Sequence, residues 1–125
     1  MTNLLEHKTI LLVEDNKIAQ LISDIILREF TSKVDIAETG QQALELYDKY
    51  HHNIIFMDIS LPDGKGYDFA RQLYAKEREP NTPPPLIIAI SAHSDDETKM
   101  ECFSAGITNY LVKPLERSKL EDFLF

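Results

Sequence analysis

The sequence predicts a doubly wound α/β fold: a five-stranded parallel sheet in the order 2-1-3-4-5, covered by helices on both faces. Three observations carry the prediction. Short, fully apolar runs recur at 9–13 (TILLV), 53–57 (NIIFM) and 86–90 (LIIAI), the signature of strands buried on both faces. Segments with helical periodicity separate these runs, which is the alternation expected of βα units. One further run, 33–37 (KVDIA), alternates instead and marks a half-exposed edge strand. With the second strand at an edge and right-handed crossovers, 2-1-3-4-5 is the natural doubly wound order.

Each element follows from local signals. The first strand, 9–13, ends on Glu14 and Asp15. Next comes a helix whose Ile18, Leu21, Ile22, Ile25 and Ile26 share one stripe, with Ile22, Ile25 and Ile26 expected in the core. Thr39 and Gln42 form a capping box that opens a second helix through Tyr50. Strand 53–58 closes on Asp58, and Pro62-Asp63-Gly64 supplies turn chemistry before a helix from about Gly66 to Glu77. "REPNTPPP", 78–85, reads as a stiff, inserted surface loop too short for a domain boundary. After strand 86–90, Ser94 and Glu97 suggest another capping box, and Ala105-Gly106 ends that helix. Strand 109–112 (NYLV) leads to Lys113-Pro114, and a last helix starts near Glu116. No internal repeat or low-complexity tract interrupts the pattern.

At 125 residues the chain fits one domain, 1–125, with a core from about residue 8 and a final helix cut short. One cysteine, Cys102, rules out an internal disulfide framework, suits a reducing compartment, and reads as a small core residue. No apolar run approaches the roughly 18 residues of a membrane span, and no basic region precedes an apolar core at the N-terminus, so a cytoplasmic protein without membrane contact is expected. The formal charge of −8, from 13 basic and 21 acidic residues, argues against direct nucleic-acid binding.

Open parallel sheets place their reactive crevice beyond the carboxyl ends of the strands. The first strand delivers Glu14 and Asp15 there, the third Asp58, the fourth Ser91 and the fifth Lys113. Carboxylates together with backbone carbonyls suit Mg²⁺, with Mn²⁺ as an alternative hard cation. One ionised carboxylate can attack phosphorus to give an aspartyl phosphate without a general base. An ammonium such as Lys113 and a hydroxyl such as Ser91 then neutralise the phosphoryl oxygens. Blander readings exist for each residue. Asp15 with Asn16 suits a helix N-cap, Asp58 a turn, Ser91 a loop and Lys113 a solvated surface. Their convergence on one rim favours the site.

The motifs "LLVED" (11–15), "MDISLPDGKG" (57–66), "AISAHS" (89–94) and "NYLVKP" (109–114) together closely resemble the receiver domain of two-component response regulators. The resemblance covers about residues 8–125 and implies a flavodoxin-like, CheY-like three-layer sandwich. It implies Asp58 as phosphoacceptor, and Glu14, Asp15, Asp58 and the backbone carbonyl of Ser60 as metal ligands. It further implies Ser91 and Lys113 as phosphate contacts, Tyr110 as the aromatic that changes rotamer on activation, and a cis bond before Pro114. Ile18 is then a partly exposed docking contact for a phosphodonor's helices. "VEDNKIAQ" and "SAHS" are similar to receiver modules of hybrid sensor histidine kinases, although Ala19 stands where a second Asn is common and Lys65 where an acid is common.

The implied partner is a histidine kinase or a histidine phosphotransfer protein, with a fused output or kinase domain and a homodimer left open. The chain is expected to be a switch that catalyses only its own phosphorylation and dephosphorylation, not an enzyme with an external substrate. Tyr110 also fits as a plain strand aromatic. His93 stands close enough to Ser91 to influence dephosphorylation; His51-His52 reads as exposed at a helix end, and the histidines lack metal-ligand spacing. Two rivals remain in view. A pseudo-receiver would keep the fold as a protein-binding module without phosphorylation. A small Mg²⁺ phosphatase usually carries a second acid two residues after its nucleophile, where this chain has Ser60. Nucleotide binding fails for want of a Gly-rich loop after the first strand.

Overall fold

The computed structural model describes residues 7–76 and 80–124. Strands β1 (Ile10–Val13), β2 (Val34–Ala37), β3 (Ile54–Asp58), β6 (Leu86–Ser91) and β7 (Asn109–Val112) pair in parallel in the order β2-β1-β3-β6-β7. With the short antiparallel pair β4 (Ser60–Leu61) and β5 (Gly64–Lys65) set aside, this is the predicted order 2-1-3-4-5. Register fixes which residues share a rim: Val13 lies beside Met57, Asp58 beside Ile90, and Ser91 beside Val112.

The apolar strands are buried because both sheet faces are covered. On one face, Leu11, Val13, Ile55, Met57, Ile87 and Ala89 pack with α2 (Gly40–Tyr50), α3 (Gly66–Ala75) and α4 (Asp96–Ser104). On the other, Ile10, Leu12, Ile54, Phe56, Ile88 and Ile90 pack with α1 (Lys17–Leu27) and α5 (Arg117–Leu124). Each such large side chain contributes about 1.5–3 kcal/mol by leaving water. Cys102 joins the first core, and burial pushes its thiol up to about 11. No described helix is long and apolar enough to cross a membrane.

Helix ends mostly follow the predicted chemistry. Thr39 caps α2 by accepting the Gln42 amide at 3.1 Å, while Gln42 Oε1 accepts from Glu38 N and not from Thr39 as a reciprocal box would have it. Gly106, at φ +95°, follows the end of α4 as expected. The cap of α4 is Asp95, not Ser94, because the Asp95 carboxylate takes both the amide and the hydroxyl of Thr98. Helix α3 ends at Ala75, and its predicted last residue, Glu77, lies outside the described residues.

Two further expectations fail. Ile22 and Ile25 are 47% and 58% exposed, and only Ile26 packs partly against the core. Helix α1 instead turns Gln20, Ser23 and Leu27 inward: Leu27 joins the core and Gln20 donates its side-chain amide to the Glu14 carbonyl at the end of β1. His52 is buried and not exposed at a helix end. It turns under the edge strand, where Nε2 lies 2.7 Å from Asp35 Oδ2, while His51 takes the exposed left-handed position that ends α2.

Candidate functional site

Strand ends and the turns after them bring the predicted residues together. Asn16, not Asp15, caps α1 by accepting the Ala19 amide at 2.9 Å, which leaves the Asp15 carboxylate at the rim. Glu14 and Asp58 are buried at the ends of β1 and β3, and Asp15 beside them is exposed. Carboxylate oxygens of Glu14, Asp15 and Asp58 all lie within 4.8 Å of one another.

Electrostatics make this cluster costly without a cation. Burial pushes the Glu14 carboxyl up to about 7, reinforced by Asp58 and opposed by Lys113. Lys113 Nζ sits between the two buried acids, 2.7 Å from Glu14 Oε1 and 2.9 Å from Asp58 Oδ2. The contact with Asp58 is a hydrogen bond. The contact with Glu14 is a charge pair out of hydrogen-bond alignment, so Glu14 Oε1 stays a buried acceptor short of a partner. Burial works to lower the Lys113 ammonium, but its charge pair with Glu14 and its bond to Asp58 outweigh that and hold it above the usual lysine range. One ammonium faces three acids, and the remaining negative charge fits a divalent cation. The peptide bond between Lys113 and Pro114 is cis.

The backbone around Asp58 is tightly built. Ser60 N donates to Asp58 Oδ1 at 3.1 Å, and Gly66 N donates to the Ile59 carbonyl at 2.8 Å. A Cβ on Gly66 would lie 2.2 Å from the Asp58 carbonyl oxygen, so only glycine lets the start of α3 approach this closely. Lys65 gives α3 no side-chain cap, and Asp68 supplies the acid in its first turn.

Ser91 is buried at the end of β6, where its hydroxyl accepts the His93 amide at 3.2 Å and its carbonyl accepts the Lys113 amide at 2.7 Å. Tyr110, half-buried on β7, donates its hydroxyl to the His93 carbonyl at 2.6 Å. The loop after Ser91 is thus held at His93 by two predicted residues, Ser91 on its amide and Tyr110 on its carbonyl. Sequence reasoning passed over Asp63 as a turn former. Its carboxylate accepts the amides of Gly40 and Gln41; burial alone would push the carboxyl up, and these two bonds hold it below the usual range. No sequence signal names those distant amides.

Beside the acids a groove of about 430 Å³ runs between α1 and the segment 111–115. Ile18, Ala19, Ile22, Ile90, Leu111 and Pro114 give it apolar walls, and Glu14 and Lys113 also line it.

The chain matches the response regulator receiver domain over residues 10–125. The aerobic respiration control sensor protein ArcB of Escherichia coli is 34% identical over 106 residues, which are 85% of this chain and 13% of that protein. Hybrid signal transduction histidine kinase E of Dictyostelium discoideum is 33% identical over 119 residues, 94% of this chain and 7% of that protein. The chain therefore spans only a small part of these relatives. The receiver domain of the sensor histidine kinase PA1611 from Pseudomonas aeruginosa, solved with a magnesium ion coordinated in its active site cleft, superposes with a TM-score of 0.79 at 33% identity. The match covers 94% of this chain and 93% of that one.

Proposed function

The chain belongs to the response regulator receiver family of two-component signalling, and on that premise we propose that it is a phosphoacceptor switch which takes a phosphoryl group from a phosphohistidine onto Asp58. The observation that carries the reading is the buried Asp58 carboxylate held between Lys113 Nζ and the Ser60 amide, within 4.8 Å of two further acids. Glu14, Asp15, Asp58 and the Ser60 carbonyl would hold Mg²⁺, or Mn²⁺ in its place. When bound, the ion supplies the charge that lets a phosphoryl group approach a cluster of acids.

The chain's own groups do the rest. An Asp58 oxygen bonds to phosphorus as the phosphorus–nitrogen bond of the donor histidine breaks, and an ionised carboxylate needs no base for this. Lys113 and the Ser91 hydroxyl neutralise phosphoryl oxygens. Engaging Ser91 moves the loop that Tyr110 holds through His93, so Tyr110 changes rotamer and the surface of α4, β7 and α5 rearranges. Met100 and Phe103, 70% and 62% exposed on α4, are apolar points on that surface for an output partner or a second copy. The phosphate shifts the equilibrium as far as it binds the active arrangement better. On this reading the chain has no external substrate beyond its phosphodonor.

A direct test is intact-mass measurement after exposure to acetyl phosphate. The expected result is a gain of one phosphoryl group with Mg²⁺ and none after chelation. Labelling that is indifferent to chelation would remove the metal from the reaction.

The donor itself is proposed to be a kinase or phosphotransfer domain, whether in the same polypeptide or separate, whose helices lie on α1. Ile18, Leu21, Ile22 and Ile25 form an exposed apolar stripe continuous with the groove that reaches Lys113. Ile22→Glu is expected to slow transfer from a phosphorylated phosphotransfer domain about tenfold or more while leaving acetyl phosphate labelling unchanged. Equal effects on both donors would refute this docking face.

A further inference from the structure

The hairpin after Asp58 is too small to hold itself. It has two residue pairs, Ser60 with Lys65 and Leu61 with Gly64, and two-stranded hairpins are marginal in water even when longer. Two contacts from elsewhere in the fold fix it. At its turn, Asp63 Oδ1 accepts the Gly40 amide at 2.9 Å and Oδ2 accepts the Gln41 amide at 3.0 Å. Beneath the turn, the Phe69 ring fills the space where a Cβ on Gly40 would come within 2.1 Å and one on Gly64 within 3.3 Å. Helix α2 already has a cap of its own in Thr39, so Asp63 satisfies amides that Thr39 leaves free. The other end of the hairpin is Ser60, whose amide donates to the Asp58 carboxylate.

We infer that Asp63 is a positioning residue for the acceptor site: by gripping the start of α2 it holds the hairpin, and with it Ser60, in register with Asp58. The inference rests on the reading of Asp58 as a Mg²⁺-dependent acceptor. Asp63 touches neither the metal ligands nor the phosphoryl group. It acts through Ser60, as groups behind a metal ligand do when they hold that ligand in place.

The test compares wild type, Asp63→Ala, Asp63→Asn and Thr39→Ala by calorimetric titration with Mg²⁺ and by acetyl phosphate labelling at saturating Mg²⁺. Asp63→Ala is expected to weaken Mg²⁺ binding about tenfold, the lower end for loss of such a supporting group. Its labelling rate at saturating Mg²⁺ should stay near that of wild type, because the reacting groups are intact. Asp63→Asn keeps one acceptor oxygen and should recover part of the affinity. Thr39→Ala removes the ordinary cap of α2 and should leave Mg²⁺ affinity as in wild type. Unchanged affinity in Asp63→Ala, or an equal loss in Thr39→Ala, overturns the inference. Should Asp63→Ala fail to fold, equal affinities in Asp63→Asn and Thr39→Ala overturn it. A wild-type chain that does not bind Mg²⁺ overturns the acceptor reading and this inference together, whereas wild-type binding with no loss in Asp63→Ala overturns the inference alone.

Discussion

Asp58→Asn is expected to abolish phosphorylation, lowering the labelling rate at least about a thousandfold, while the fold persists. Asparagine has the same shape and keeps an acceptor for the Ser60 amide, so the backbone around position 58 stays in place. What it lacks is the ionised oxygen that bonds to phosphorus. The loss of the Lys113 pairing is offset by relief of Glu14, whose carboxyl Asp58 helps to push up. The variant should therefore show near wild-type thermal unfolding without metal and no mass gain from acetyl phosphate. A variant that still labels at the wild-type rate would put the acceptor at another residue.

Lys113→Ala is expected to have two separable effects. Without metal, removing the ammonium leaves the buried Glu14 and Asp58 carboxylates facing each other uncompensated. Breaking a buried pair by deleting one partner costs about 3–5 kcal/mol, and the partly exposed lysine head places this case near about 3 kcal/mol. Urea unfolding should show that loss, and Mg²⁺ should restore most of it by replacing the missing positive charge. At saturating Mg²⁺ the labelling rate should still fall about a hundredfold, because one fixed donor to the transferring phosphoryl group is gone. Full activity at saturating Mg²⁺ would reduce Lys113 to a structural counter-ion.

The sheet and its rim were legible because each strand carries two signals at once. Runs such as IIFM in β3 are apolar on both faces, which only a doubly covered sheet tolerates, and Asp58 follows directly at the carboxyl end. The same holds for Val13 before Glu14 and Ile90 before Ser91. Helix faces were less legible. An isoleucine stripe on α1 reads as core by period alone, yet the inward face is Gln20, Ser23 and Leu27. That orientation buries Leu27 and lets Gln20 satisfy the Glu14 carbonyl, tertiary contacts that helical period does not report. The outward isoleucines are then surplus to the core, and their exposure is what the proposed docking face rests on. His52 and Asp63 were misjudged or passed over for a related reason: their partners, Asp35 and the Gly40 and Gln41 amides, lie 17 to 23 positions away in sequence. Ser94 lost its capping role to Asp95, one position on, because both are good caps and only geometry chooses between them.

The most direct measurement is chemical location of the phosphoryl group. Borohydride reduction of the phosphorylated chain converts an acyl phosphate to an alcohol that peptide sequencing by mass spectrometry can place. The account predicts one modified position, Asp58, seen only when Mg²⁺ was present during phosphorylation. Reduction at Glu14, at Asp15 or at no carboxylate would contradict it.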